Sequence, residues 1–266
     1  MPLNLAPRLT NLTLTLTLAL AIAPVPAPAQ SPSTATVITN PVRDQSYPFN
    51  FGVLVQSGVG VTEDRGGFKF FMAGVRLGKV LTSNVGPGFL RGNFEYGGEL
   101  FPLWQSYTPT MQRQNCIYIQ NTFSGTTTSC SAPFTVGGTF TGISLTPIIL
   151  RWNFAGSRRI APWVQGAGGL LWTNHKYPAY GGAPVLPNPP YSSTTLTTYG
   201  DNGPNDDTSV WNFTPQFGVG LHYFLSPRRS IDLGANAIHI SSASLGDKNP
   251  GINASIQFTL GYSWWK

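Results

Sequence analysis

Ser255-Ile256-Gln257-Phe258-Thr259-Leu260-Gly261-Tyr262-Ser263-Trp264 alternates without a slip over ten residues. In an extended chain, Ile256, Phe258, Leu260, Tyr262 and Trp264 share one face, and small or polar residues fill the other. That period of two is the pattern of a strand. An apolar face backed by Ser, Thr, Gly and Gln suits a wall between lipid and a narrow lumen. A second stretch repeats the pattern. There Phe213, Phe217, Val219, Leu221 and Tyr223 oppose Thr214, Gln216, Gly218, Gly220 and His222.

Outward from these two stretches, eight alternating segments can be counted, at 50–61, 68–80, 88–104, 139–153, 160–173, 211–224, 229–241 and 252–265. Each reaches the about 9–11 residues that a tilted strand needs to cross a bilayer. Leu54 in the first and Ile148 and Leu150 in the fourth break the alternation. The connections near 81–87, 154–159 and 225–228 are short, whereas 105–138 and 174–210 are long and polar. This asymmetry fits an all-β, eight-stranded antiparallel transmembrane barrel with short periplasmic turns and long outer loops. An even strand count puts both chain ends of the barrel in the periplasm.

Composition agrees. Only 10% of the 266 residues are charged, while 12% are aromatic and 30 are Gly. A soluble domain carries about 25% charged residues. A lipocalin-like soluble barrel would show that charge on its outer face, and none is patterned there. No run of 18 apolar residues points to a membrane-spanning helix. Eight strands leave a lumen filled by side chains, so a porin is not expected.

The N-terminus sets the compartment. Arg8 precedes an apolar run from Leu12 to Ala23, and Ala27-Pro28-Ala29 offers small residues for cleavage. That order reads as a secretory signal over 1–29; the alternative is a first strand, since Leu12-Thr13-Leu14-Thr15-Leu16 alternates. The expected mature chain is then a periplasmic segment, 30–49, and a barrel domain, 50–266. The formal charge of +6 falls to +5 once Arg8 leaves, because 1–29 holds no other charged residue. Lys and Arg are not gathered on one face, so no nucleic-acid partner is expected. Attraction to anionic outer-membrane lipids fits better.

Arg91, Asn93, Glu95 and Glu99 share one parity of the third segment, and Arg76 has the polar parity of the second. Such charges should pair inside the lumen. Cys116 and Cys130 lie in one polar stretch, which in an oxidising compartment is expected to hold a local disulfide. With no His or second Cys pair near them, neither a metal site nor another cofactor is expected.

One pair of residues could carry chemistry. His239 and Ser241 lie two apart in the seventh segment, on the face continued by Leu233, Ala235 and Ala237. The segment leaves a short turn, Ser226-Pro227-Arg228-Arg229, so the pair should reach the outer-leaflet rim on the lipid-facing side. An ionisable group there is expensive and usually functional. A hydroxyl beside an imidazole is the minimum for an activated serine, although a chance His-x-Ser is common. His222, with lumenal parity, and His175, at a loop start, suggest no such role.

The stretch His239-Ile240-Ser241-Ser242-Ala243-Ser244-Leu245-Gly246-Asp247-Lys248-Asn249-Pro250-Gly251-Ile252-Asn253 resembles the C-terminal motif of the outer-membrane lipid A 3-O-deacylases, the PagL-like family. The resemblance implies an eight-stranded barrel with its active site facing the outer leaflet. It implies His239 as general base, Ser241 as nucleophile and Asn249 in the oxyanion hole, with backbone N–H groups around Gly251 beside it. The substrate would be lipid A within lipopolysaccharide, and Lys248, Lys176 and Arg113 are candidates to meet its phosphates. A homodimer is compatible with this reading. Two positions depart from the family pattern. The family's catalytic Glu, fourteen residues after the His, is Asn253 here, and the Asn after the nucleophile is Ser242. An Asn can orient an imidazole by accepting a hydrogen bond, but simple alternation gives Asn253 lumenal parity, opposite to His239. The competing expectation is a non-catalytic barrel serving structure, adhesion or ligand binding.

Overall fold

The alternating segments form the staves of a closed wall. The computed structural model describes residues 40–62, 65–113, 116–121, 125–130, 132, 134–177, 198–199, 209–243, 245 and 253–266. A short helix, α1 (Pro41–Asp44), precedes β1 (Phe49–Gly60), β2 (Lys69–Val80), β3 (Gly92–Arg113), β4 (Cys116–Asn121), β5 (Gly125–Cys130) and β6 (Phe134–Phe154). Then follow β7 (Ile160–Thr173), β8 (Thr198–Tyr199), β9 (Trp211–Phe213), β10 (Gln216–Ser226), β11 (Arg229–His239) and β12 (Ala254–Trp265). The order β10–β11–β12–β1–β2–β3–β6–β7 closes when β7 pairs back to β10. β9 continues the β10 stave beyond Thr214-Pro215, so the wall has eight antiparallel staves. β4, β5 and β8 form a separate sheet.

Two expectations from the sequence are corrected. The third segment does not start as a strand at 88: Gly88–Leu90 is a 3-10 turn, after Gly86 and Gly88 take φ of 95° and 51°. The stretch 105–138 is largely strand, not loop. β3 and β6 stay paired out to Arg113 opposite Phe134, and β4 pairs with β5 beyond them. The signal segment 1–29 lies outside the described residues.

The wall is apolar outside and polar inside. Phe217 and Phe258 are 60% and 64% exposed, and Val53, Leu77 and Leu260 also face outward. No water-soluble barrel would leave this belt uncovered. Bulges explain the irregular segments. The β6–β7 register shifts between Leu145 and Ile148, across Pro147, so Ile148 and Leu150 turn outward while Ile149 turns in. Leu54 points inward, into an apolar cluster with Phe70, Phe101 and Trp104.

The lumen has two layers. Toward the end with the short turns, Arg76 donates to Glu95 at 2.8 Å, and Asn50 and Asn153 complete that carboxylate at 3.0 and 2.7 Å. Glu99 lies 4.0 Å from the same guanidinium. The lumenal charges pair as expected, except that Arg91 is exposed below β3. His222 bonds Asp232 at 2.7 Å and Arg151 at 3.3 Å. Residues 40–48 do not hang free, because Val42 packs on Ala161, Phe224 and Trp265 in the mouth of the barrel. Toward the opposite end the lumen is aromatic, with Tyr177 edge-on to Trp104 and Phe140. Side chains fill both layers, so this lumen is a core.

Candidate active site

β11 lies between β10 and β12, and its end carries the pair singled out in the sequence. His239 stands opposite Ala254 on β12, and its N–H donates to the Pro215 carbonyl at 3.0 Å. Pro215 has no N–H to offer the ladder, and it marks the break between β9 and β10. Past the break, Ser241 bridges Phe213: the Ser241 N–H donates to the Phe213 carbonyl at 2.9 Å, and the Phe213 N–H donates back at 2.6 Å. Ile238, Ile240 and Ser242 are buried, while His239 and Ser241 are half-buried on the opposite parity. Both therefore continue the outer face, at the end of the wall away from the short turns.

The imidazole is held by main chain. His239 Nδ1 lies 2.9 Å from the carbonyl oxygen of Asn253, which also accepts the Ile240 N–H at 2.9 Å. A carbonyl only accepts, so Nδ1 carries the proton and donates, and the neutral ring keeps Nε2 as its acceptor. The Asn253 side chain is buried on the lumen side. Its contact with the imidazole runs through a group that every residue has.

Beyond Ser241 the chain turns sharply. The Ala243 N–H donates to Ser241 Oγ at 3.2 Å, the Leu245 N–H to the Ser242 carbonyl at 2.9 Å, and Ala243 takes φ of 47°. A non-glycine residue in the left-handed region is uncommon, and such strain collects at functional turns. Asn249, Gly251, Lys248 and Asp247 lie outside the described residues. Lys176 is exposed, and Arg113 ends β3. Glu95 and Glu99 serve Arg76 inside the lumen, away from this turn. The β4–β5 register puts the backbones of Cys116 and Cys130 directly opposite each other.

Below the pair, the outward residues of β11 shrink. Ala237 stands between Phe217 on β10 and Ile256 on β12, and Ala235 between Val219 and Phe258. Leu233, opposite Leu221 and Leu260, restores the side-chain height. Two methyl groups thus floor a trough with aromatic and branched walls. From Ala237 to Leu233 it runs about 13 Å at the strand rise.

The sequence matches the model of the family described as lipid A 3-O-deacylase (PagL) over residues 100–263. The chain belongs to that family. Its activity is hydrolysis of the 3-linked acyl ester of lipid A, and a closed barrel with an apolar outer belt is the architecture of an outer-membrane protein. The end of the barrel with the short turns is its periplasmic end. No curated protein matches the sequence. Among solved structures it is similar to the outer membrane enzyme PagL, at 15% identity and TM-score 0.41, covering 80% of this chain and 97% of that one. It is similar to Neisserial surface protein A at 10% identity and TM-score 0.42, with 81% and 96% covered. Ail of Yersinia pestis follows at 11% identity and TM-score 0.36, with 83% and 99% covered.

Proposed function

We propose that His239 and Ser241 perform the deacylation at the outer-leaflet face of the wall. The observation that carries this reading is the 2.9 Å contact from His239 Nδ1 to the Asn253 carbonyl. With Nδ1 committed, Nε2 is the nitrogen free to take a proton from a serine on the same face. As Ser241 Oγ attacks the ester carbonyl, its proton passes to His239 Nε2. The tetrahedral intermediate collapses, and the imidazolium returns the proton to the 3-oxygen of the leaving sugar. Water, activated by the same Nε2, then hydrolyses the acyl-serine to a free hydroxy fatty acid. The Ala243 N–H donates to Ser241 Oγ at 3.2 Å, which holds the hydroxyl in place at the turn.

Asn249 and the N–H groups around Gly251 are the groups we assign to the oxyanion, as the family motif implies. One such donor contributes about 10²–10³ in rate. A main-chain carbonyl in the acid's position holds the tautomer but brings no full charge to the imidazolium. The trough over Ala237 and Ala235 suits the acyl chain, because it leads from the serine down the lipid-facing wall. Outer-leaflet lipid A would enter sideways, without leaving the bilayer.

The test is mass spectrometry of lipid A after incubation with the detergent-folded protein. The expected product has lost one hydroxyacyl group, and Ser241→Ala yields none. Equal turnover by Ser241→Ala would put the nucleophile elsewhere.

A further inference from the structure

The lipid-facing wall carries a second apolar depression, around the barrel from the trough and near its periplasmic end. It is a groove of about 770 Å³. Two irregularities open it. The β3–β6 register shifts between Gly97 and Glu99, and the β6–β7 register shifts across Pro147. Gly98, which has no side chain, lies opposite Leu77 and forms the floor, with Leu100, Leu145 and Pro147 around it. Lys79 and Lys266 line the periplasmic end of the groove beside Phe49 and Trp264, and both are exposed. The Lys79 ammonium sits 5.2 Å above the Phe49 ring, an arrangement that holds a cation at a membrane interface.

The charge around this mouth is one-sided. Arg43, Arg91, Arg158, Arg159, Arg228 and Arg229 are all exposed at the same end. Among the described residues there, Asp44 is the one exposed acidic side chain. The carboxylate of Glu95 faces inward, to Arg76. We propose that the groove and its two lysines bind an anionic glycerophospholipid of the inner leaflet, phosphate at Lys79 and Lys266, one acyl chain over Gly98. Hydrocarbon already bathes the wall, so an apolar groove alone would select no lipid over another. Selection comes from the cations, which stand at headgroup depth for the leaflet on this side.

Native mass spectrometry of the full chain in a non-ionic detergent tests this, with phosphatidylglycerol and phosphatidylcholine of identical chains as probes. Phosphatidylglycerol should be retained preferentially. Lys79→Gln with Lys266→Gln should weaken its retention about tenfold, as expected when two charge-assisted contacts are lost. Leu77→Trp, which fills the groove from an outward position, should weaken it with both lysines in place. Deacylation of lipid A and heat-modifiable migration on gels should be unchanged in each variant. Equal retention of the two lipids overturns the proposal, and so does phosphatidylglycerol binding that ignores either variant. A dimer that Leu77→Trp dissolves would make the groove a protein interface, and overturns it as well.

Discussion

His239 Nδ1 and the main-chain carbonyl of Asn253 meet at 2.9 Å, across neighbouring antiparallel strands. The same carbonyl takes the Ile240 N–H, so the ladder itself fixes the ring. Replacing the Asn253 side chain leaves that carbonyl in place. Asn253→Ala should therefore keep kcat/KM for lipid A within about threefold of the parent. A loss above tenfold, in protein that still folds, would mean that the buried amide reaches the imidazole after all.

The staves were legible because their outer faces are continuous: the Phe258 and Phe217 parities read from the chain are the observed ones. Ile148 and Leu150 misfit because a bulge at Pro147 flips parity, which alternation alone cannot register. Leu54 misfit because the outer half of the lumen is an apolar core, not a polar channel. His239 and Ser241 stood out by residue type and parity. The carbonyl that holds the imidazole was invisible, because a backbone group leaves no mark in residue identity. Only the register, with His239 opposite Ala254, brings it to the ring. The pairing of His222 with Asp232 was hidden for a similar reason: each had lumenal parity, and only the β10–β11 register makes them partners.

The trough predicts a steric effect that a purely chemical site would not show. Ala237→Trp should raise a bulky side chain between Phe217 and Ile256, in the path we assign to the acyl chain. We expect kcat/KM to fall at least tenfold, since misplacing a bound group by about 1 Å can cost 10²-fold. The substitution faces lipid, so heat-modifiable migration should survive. Undiminished activity would send the acyl chain along another part of the wall.

The lumenal network predicts where stability lies. Glu95→Ala strips Arg76 of its 2.8 Å partner and takes an acceptor from Asn50 and Asn153. Removing one partner of a buried ion pair costs about 3–5 kcal/mol. Urea unfolding of the detergent-folded barrel should show a loss of that order. A triple replacement, Arg76→Leu with Glu95→Leu and Glu99→Leu, removes all three charges of the cluster and should be far milder. Equal damage in the two would mean that packing, not charge, dominates there.

Cys116 and Cys130 are direct backbone partners in the β4–β5 register, and directly opposite residues of an antiparallel pair lie within the Cα span of a disulfide. We expect it to form, closing a segment of 15 residues and contributing about 3 kcal/mol to that hairpin in the chain-entropy model. The β4–β5 sheet is separate from the barrel wall. Reduction should loosen the hairpin and leave heat-modifiable migration intact. Intact-mass measurement after thiol alkylation of protein isolated from outer membranes should find no free thiol.

The pair we propose as catalytic, His239 and Ser241, predicts a pattern of non-additivity. A serine hydroxyl at neutral pH is a poor nucleophile without a base beside it, and an imidazole without the serine has no acyl acceptor to activate. Ser241→Ala and His239→Asn should each reduce deacylation to background, where a general base alone accounts for about 10²–10⁴ in rate. Because the two act as one unit, the double variant should be little worse than either single one. Two independent contributions would instead multiply, and the double variant would fall by the product of the single losses. Both side chains are half-buried on the outer face, so neither change disturbs the lumen. All three variants should fold with the parent's strand-dominated circular dichroism. Serine-directed phosphonate labelling separates the roles further. It should be absent in Ser241→Ala, and slowed in His239→Asn, where the hydroxyl remains but its base is gone. Labelling of Ser241→Ala at the parent rate would place the reactive serine elsewhere on the chain.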